Sequence, residues 1–371
     1  MSNLNTLLQG VEVEWKTLES LAENLDSMRK PVTSGLRVAG DIPYYGASGI
    51  VDYVKDYIFD GEFLLISEDG ANLIARSTPI AFSISGKSWV NNHAHVLKFN
   101  NYAERRFVEY FLNSIDLTPY ISGAAQPKLN QKNLNSIKIP NPELKVKEKI
   151  VAILDTFTEL TAELTAELTA RKQQYSYYRE KLLTVNDKGL MNNEKVEWKS
   201  LGEVAEIMRG VAFTRKQANY GKFPVVANSA EPISYHNEFN RNGELIVVAR
   251  SGANAGLISY WNEDLYLTDA FSIHPNAEVL NTKFVYYFLK NHQNEIHLMK
   301  QGSGVPHVRA SDFEIYRIPI PSLEEQERIV AILDKFDTLT TSISEGLPKE
   351  VELRKKQYEY YRDQLLSFPE N

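Results

Sequence analysis

Apolar residues along this chain follow two rhythms, and each rhythm occurs twice. From 142 to 185, Ile150, Ile153, Leu154, Phe157, Leu160, Leu164, Leu168, Tyr175, Tyr178 and Leu182 recur mainly at intervals of three and four. A helix through them carries one apolar stripe and calls for an antiparallel helical partner. At 1.5 Å per residue such a helix is a rod of roughly 65 Å. The spacing returns in Ile329, Ile332, Leu333, Phe336, Leu339, Ile343, Tyr358, Tyr361 and Leu365. This second stretch is interrupted by Gly346-Leu347-Pro348, where a proline without an N–H should kink the helix or start a fresh one. The segments 15–140 and 198–321 read differently. They hold short apolar runs (FLLIS, ELIVVARS, FEIYRIPIP), one helix-like stretch each, and many Gly, Asn and Ser breakers, the pattern of mixed α+β structure. The predicted fold is therefore α+β: two globular heads separated by two long antiparallel helices forming a coiled coil. The expected division is 1–141 for the first head, 142–190 for the first helical spacer, 191–321 for the second head and 322–371 for the second spacer.

The chain is written twice. Val13-Glu14-Trp15-Lys16-Thr17-Leu18 recurs as Val196-Glu197-Trp198-Lys199-Ser200-Leu201. Gly61-Glu62, an apolar run and Gly70-Ala71-Asn72 recur as Gly243-Glu244, an apolar run and Gly252-Ala253-Asn254. Residues 150–155 and 329–334 both read IVAILD, and RKQQYSYYREKLL from 171 answers RKKQYEYYRDQLL from 354. The helical ends agree closely, whereas the heads agree only at glycines, prolines and apolar runs. One frame carrying two different faces suggests two specificities on a shared scaffold, with divergence after duplication as the alternative.

Composition then narrows the function. The chain has no cysteine, which excludes disulfides, Cys-ligated zinc and thiol catalysis. No apolar run is long enough to span a bilayer and the first residues lack a signal-peptide pattern, so a cytoplasmic protein is expected. The formal net charge is −7, unhelpful for a protein that meets phosphates, but basic and acidic residues balance within each head. The excess acid lies mainly after residue 321. No GxxxxGK[ST] loop, no glycine-rich cofactor turn and no Asn/Asp-Pro-Pro-aromatic loop is present, so neither ATPase nor methyltransferase chemistry is supported. Glu-x-Lys tripeptides occur without an upstream Pro-Asp, and no catalytic residue is assigned. His93 and His95 would share one face of a strand, but no third ligand is evident and no metal site is assigned.

The Glu-Trp-Lys-x-Leu openings, the Ile-Pro-x-Pro exits, the helix start from Gln326 to Asp334, the TAELTAELTA tract and the Arg-Lys-x-Gln-Tyr-x-Tyr-Tyr-Arg ends resemble the specificity subunits of type I restriction-modification systems. The resemblance covers nearly the whole chain. It implies two target recognition domains that read an asymmetric bipartite site on double-stranded DNA, joined by conserved helical spacers, in a subunit that is not itself catalytic. It further implies assembly with two modification subunits that bind S-adenosylmethionine and methylate adenine, and with restriction subunits that use ATP and Mg. This chain itself needs no cofactor. A partner role also accounts for the tyrosine clusters: Tyr175, Tyr177, Tyr178 and Tyr358, Tyr360, Tyr361 exceed what one stripe can bury because adjacent tyrosines point to different helix faces, and Tyr175, Tyr178, Tyr358 and Tyr361 are the candidate partner contacts, with tyrosines merely flanking the coiled coil as the alternative.

Base readout needs forked donors and acceptors on rigid turns. In the first head the candidates are Lys87, Trp89, Asn91, Asn92 and His93, and then Gln126, Lys128 and Asn130 around a Gly-Ala-Ala-Gln-Pro-Lys turn. In the second head they are the region around Thr268-Asp269, the turn residues Ser303 and His307, and Arg309, with Arg250 and Asn254 after a strand. For any single residue an ordinary solvated loop is the competing reading. Matched positions in both heads favour DNA as a group.

The tract from Thr161 to Leu168 is one tetrapeptide written twice. Four residues add about 6 Å of rise and leave the following helix rotated by only about 40°. Deleting Thr165 to Leu168 is therefore expected to shorten the non-specific DNA spacer by about one or two base pairs, at about 3.4 Å each, without changing either half-site. Methylation mapping of an active deletion variant checks this, and an unchanged spacer refutes it.

Overall fold

The repeated opening motif and the repeated Ile-Pro exit are partners in the folded chain. In the computed structural model, which describes residues 8, 10–123, 126–184, 196–214, 221–302, 304–342 and 344–369, they pair as a short antiparallel ribbon in each half. Strand β1 (Glu14–Thr17) begins the first half, followed by α1 (Leu18–Leu21), β2 (Glu23–Asn24), β3 (Ala39–Gly46), β4 (Gly49–Val54), β5 (Phe59–Ser67), α2 (Asn72–Ala75), β6 (Ala81–Val90), β7 (Ala94–Lys98), α3 (Tyr102–Ser114), α4 (Gln131–Ser136), β8 (Lys138–Asn141) and the long α5 (Leu144–Leu183). The second half runs β9 (Glu197–Ser200), α6 (Leu201–Val204), β10 (Ala205–Arg209), β11 (Phe223–Val226), β12 (Ser234–His236), β13 (Glu244–Ala249), β14 (Ile258–Asn262), β15 (Tyr266–Leu267), β16 (Ala270–Pro275), α7 (Thr282–Asn291), α8 (Gln293–Leu298), α9 (Ala310–Glu314), β17 (Arg317–Ile320), α10 (Leu323–Thr341) and α11 (Gly346–Leu366). Trp15 lies opposite Pro140, and Trp198 opposite Pro319. Each tryptophan packs edge-on against a head phenylalanine, Phe111 at 6.0 Å and Phe288 at 6.2 Å, while Leu18 and Leu201 are fully buried.

Both heads are built on one topology. The first has a sheet ordered β2-β7-β5-β6-β3-β4, in which β6 pairs antiparallel with β5 and, at its far end, parallel with β3 through Tyr44↔Trp89 and Tyr45↔Val90. The second splits the same plan into β10-β16-β13-β14 and β12-β11-β15, with β15 parallel to β11 through Val225↔Tyr266 and Val226↔Leu267. The long β6 of one head is thus two strands, β14 and β15, in the other. Glu263-Asp264 interrupts it, two residues disfavoured in strands. Apolar side chains of the inner strands and of α3 or α7 form each core, and each of these helices is capped by an asparagine, Asn101 or Asn281.

By contact the chain forms two compact units, each made of one head and parts of both helical segments. One comprises Met1–Glu163 with Val351–Asn371, the other Leu164–Glu350. Each head takes part of both helical segments because the apolar stripes complete its core. Ile150, Val151, Leu154, Leu365 and Leu366 join the first core, and Leu182, Leu183, Ile329, Val330 and Leu333 join the second. Helix contacts run antiparallel: Phe157 stacks on Tyr361 at 5.1 Å in the first unit, and Tyr175 and Tyr178 stack on Phe336 at 6.0 and 5.6 Å in the second. The expected break in the second helical segment is present. α10 stops at Thr341 and α11 begins at Gly346, whose φ of +80° suits glycine and whose Cβ position would lie 2.5 Å from the Thr338 carbonyl oxygen.

The repeated IVAILD motif ends in an aspartate with the same job in both units. Asp155 accepts hydrogen bonds from Tyr110 at 2.6 Å and Arg106 at 2.7 Å, and Asp334 accepts from Tyr287 at 2.6 Å and Lys283 at 2.7 Å. Burial and the adjacent carboxylate push both tyrosine hydroxyls far above their ordinary range, so they remain donors. The first clamp is the more enclosed, with side-chain exposures of 14% and 17% for its ion pair against 34% and 34% in the second. Asp155→Ala is therefore expected to destabilise its unit by about 2–3 kcal/mol, since Arg106 and Tyr110 lose a buried acceptor. Asp334→Ala should cost less. Urea unfolding of the two variants checks this order, and equal losses would show that burial does not set the strength of the clamp.

Candidate nucleic-acid interface

The candidate readers on the Gly-containing turns are held by the same backbone lattice in both heads. In the first, Ser122 and Lys128 exchange two hydrogen bonds of 2.8 Å, Gly70 donates to Pro127 at 3.1 Å and Leu129 donates to Glu68 at 2.7 Å. In the second, Gln301 and His307 exchange two of 2.9 Å, Gly252 donates to Pro306 at 3.0 Å and Val308 donates to Arg250 at 2.9 Å. Gly123 closes the first turn at φ +84°, with only 2.4 Å between its Cβ position and the Gln126 carbonyl oxygen, so no larger residue fits. Gly302, at φ +107°, takes the equivalent place. Each turn is therefore pinned to the end of a core strand, β5 or β13, a rigid base for display.

What the turns display differs. In the first head His93, Lys128 and Gln126 are exposed. His93 Nδ1 lies 2.8 Å from the Asp69 carboxylate, and Lys128 Nζ lies 3.0 Å from Glu68. Asn92 is exposed beside them, whereas Asn91 is buried and its side-chain oxygen accepts the His93 N–H at 2.8 Å, holding the turn from beneath. Asn130 caps α4 by accepting from Asn133. Lys87 and Trp89 lie on β6: Lys87 sits over the Tyr57 ring at 4.5 Å, and Trp89 Nε1 donates to the Lys30 carbonyl at 2.6 Å. In the second head Arg250, His307 and Arg309 are exposed around the turn, and Asn254 is exposed with its amide donated to Asn228 at 3.0 Å. Ser303 lies outside the described residues, as do Ala124 and Ala125 of the first turn.

Sequence reasoning missed the residues that hold the turns. Asp26, Glu68 and His95 form a buried cluster with Arg29 beneath the first one. His95 Nδ1 lies 2.6 Å from Asp26 and Nε2 2.7 Å from the Leu129 carbonyl, so both ring nitrogens face acceptors. Arg29 bonds Glu68 at 2.5 Å and lies 3.3 Å from Asp26. Burial would raise both carboxyls, but the bonds and charges of His95 and Arg29, the Val96 N–H on Asp26 and Lys128 on Glu68 outweigh it and hold both below their ordinary values. Asp26, Glu68 and His95 each offer one ligand atom within 4.8 Å of the others, yet these atoms are already engaged by the guanidinium and by one another. The expectation that His93 and His95 share a strand face is corrected: His93 belongs to the turn, and only His95 lies on β7. In the second head the register puts Phe271 at the His95 position, packed edge-on against Phe313 at 5.1 Å.

The four tyrosines chosen as partner contacts face inward and pack against the two cores: Tyr175 and Tyr178 on the second, Tyr358 and Tyr361 on the first. The apolar stripe claims them. Their neighbours Tyr177 and Tyr360 are the ones left outside, 57% and 62% exposed.

A family model for the type I restriction modification DNA specificity domain matches residues 10–171 and again 193–353. The chain belongs to the type I specificity-subunit family. It is 38% identical to S.HindORF215P of Haemophilus influenzae, over 98% of both chains, and 31% identical to the Escherichia coli type I restriction enzyme EcoR124I/EcoR124II specificity subunit, over 100% of this chain and 98% of that one. Its fold is shared with the S subunit of the type I restriction-modification system from M. genitalium, at a TM-score of 0.71 and 16% identity over 98% of each chain. It is thus the DNA specificity subunit of a type I system, a family without catalytic function of its own. Among the described residues no helix is long and apolar enough to cross a membrane.

The charge cluster under the first turn has a pH signature. Because the folded state holds the Asp26 and Glu68 carboxyls below their ordinary values of 3.8 and 4.5, their contribution is complete above those values and is lost as pH falls through the lowered ones. Asp26→Asn is expected to cost roughly 2 kcal/mol near neutral pH, with the deficit shrinking as the medium is acidified. Thermal melting across pH reads this. A deficit independent of pH would mean that the Asp26 charge is not its source.

Proposed function

We propose that the two turn platforms face double-stranded DNA and that each reads one half of an asymmetric bipartite target. The observation that carries this is the pairing of one backbone lattice with two sets of displayed groups. His93, Lys128, Gln126 and Asn92 stand on one, and Arg250, His307 and Arg309 on the other. Identical pinning preserves how a head presents its turn, while the changed side chains alter the donor and acceptor pattern offered to base edges. Lys87 and Trp89, on β6, suit contacts to the sugar-phosphate backbone.

In this reading two modification subunits carry S-adenosylmethionine and the methyl-transfer chemistry, restriction subunits carry ATP and Mg, and the assembly works in the cytoplasm. The outward Tyr177 and Tyr360 occupy equivalent places in the two copies of one helix end, which suits a partner present twice. Large, stiff side chains of this kind bury area at little entropic cost. Partner contacts to phosphate would also offset the net charge of −7.

Exchange of residues 15–140 for the same segment of another family member tests the reading. Methylation mapping should show one half-site replaced and the other intact. Simultaneous change of both halves would refute independent heads.

A further inference from the structure

The position just before β7 in the first head and β16 in the second carries different groups, and the register identifies them as equivalent. Ser67 pairs with Ala94 as Ala249 pairs with Ala270, so the residues just before those alanines, His93 and Asp269, correspond. On the facing strand end, Asp69 and Ser251 correspond, each bridged to its turn through Lys128 or His307. In both heads the strand-end residue holds the displayed one through side chains. Asp69 engages the His93 imidazole at 2.8 Å, and the Ser251 hydroxyl donates to Asp269 Oδ2. The carboxylate thus moves from the supporting position in one head to the displayed position in the other.

Asp269 is exposed, and among the described residues no cation forms an ion pair with it. Its φ is +35°, a conformation that L side chains rarely adopt and that only Arg76 shares among the described non-glycine residues. Toward a polyanion, a carboxylate is unfavourable in the part of binding that ignores sequence. A directional contact offsets that. Ionised aspartate only accepts hydrogen bonds, and in the major groove the exocyclic amino groups of cytosine and adenine are the donors, while guanine and thymine present acceptors.

We propose that Asp269 is a specificity-determining residue of the second head, accepting from the amino group of a cytosine or adenine and rejecting guanine or thymine at that position. Ser251 is its positioning residue, occupying one carboxylate oxygen. The inference rests on the reading that the turns face DNA.

The test uses the full chain assembled with its modification subunits and duplex DNA randomised across the second half-site, with bound molecules sequenced. Asp269→Asn, which offers a donor as well as an acceptor, should admit guanine or thymine at one position, with discrimination falling roughly tenfold or more. Asp269→Gly should relax the same position. Glycine suits the positive φ, so melting at or near the wild-type temperature would separate this loss from misfolding. Ser251→Ala should keep the preference and weaken it. The first half-site should stay unchanged throughout, and the sequences recovered with wild type distinguish cytosine from adenine. If both Asp269 variants keep the wild-type preference while Arg250→Ala or His307→Ala shifts the second half-site, the turns face DNA and the assignment of Asp269 is wrong. If none of these variants alters the second half-site, the DNA-facing reading falls with it.

Discussion

The aspartate at the end of each IVAILD segment joins a helix that belongs to the scaffold to a helix that belongs to a head. A carboxylate that accepts from a tyrosine and a cation at once fixes distance and rotation between the two elements, whereas apolar packing alone tolerates slippage. The rest of each unit depends on that constraint. α3 and α7 carry the core phenylalanines and set the sheet on which the two candidate turns stand. The clamp recurs with Arg106 in one unit and Lys283 in the other. The conserved element is the tyrosine-carboxylate geometry, and the cation varies around it.

Duplication here preserved backbone and released side chains. Turn lattice, asparagine caps, tryptophan-phenylalanine contacts and the parallel strand pair all recur, while the groups beneath the turns do not. The first turn rests on buried charges, Asp26, His95, Glu68 and Arg29, and the second on Phe271 and Phe313. Buried charges require every partner in place, whereas aromatic packing is indifferent to protonation. The two heads therefore share a shape but differ in what lies beneath their turns.

The exposed side of the helices follows from the same economy of faces. A helix has one stripe to give to a core, and where two tyrosines are adjacent only one lies in it. Tyr178 and Tyr361 are taken inward and Tyr177 and Tyr360 are left outside by the 100° step between neighbours. Packing thus decides which tyrosine of each adjacent pair stays exposed.

Periodicity and repetition determined a good deal by themselves: two helical segments, a break at Gly346 and two heads with one frame, while the resemblance to the family was carried by the motifs at the ends of each half. These follow from local rules, because helix period, breakers and self-similarity are written in contiguous residues. The candidate reader turns were legible for the same reason, as their glycines and prolines sit beside them. Tertiary structure decided the rest. The core boundaries cut through both helical segments because Leu182 buries against the head that follows it and Leu365 against the head at the other end of the chain. Glu68, Asp69 and Ser251 acquire meaning only through strand register, which sets residues from separate segments side by side and gives Asp269 the partner that holds it. A one-residue shift in that register would reverse every face. Which polar residues hold a turn and which are displayed is therefore a property of pairing across the sheet, and no reading of neighbours along the chain contains it.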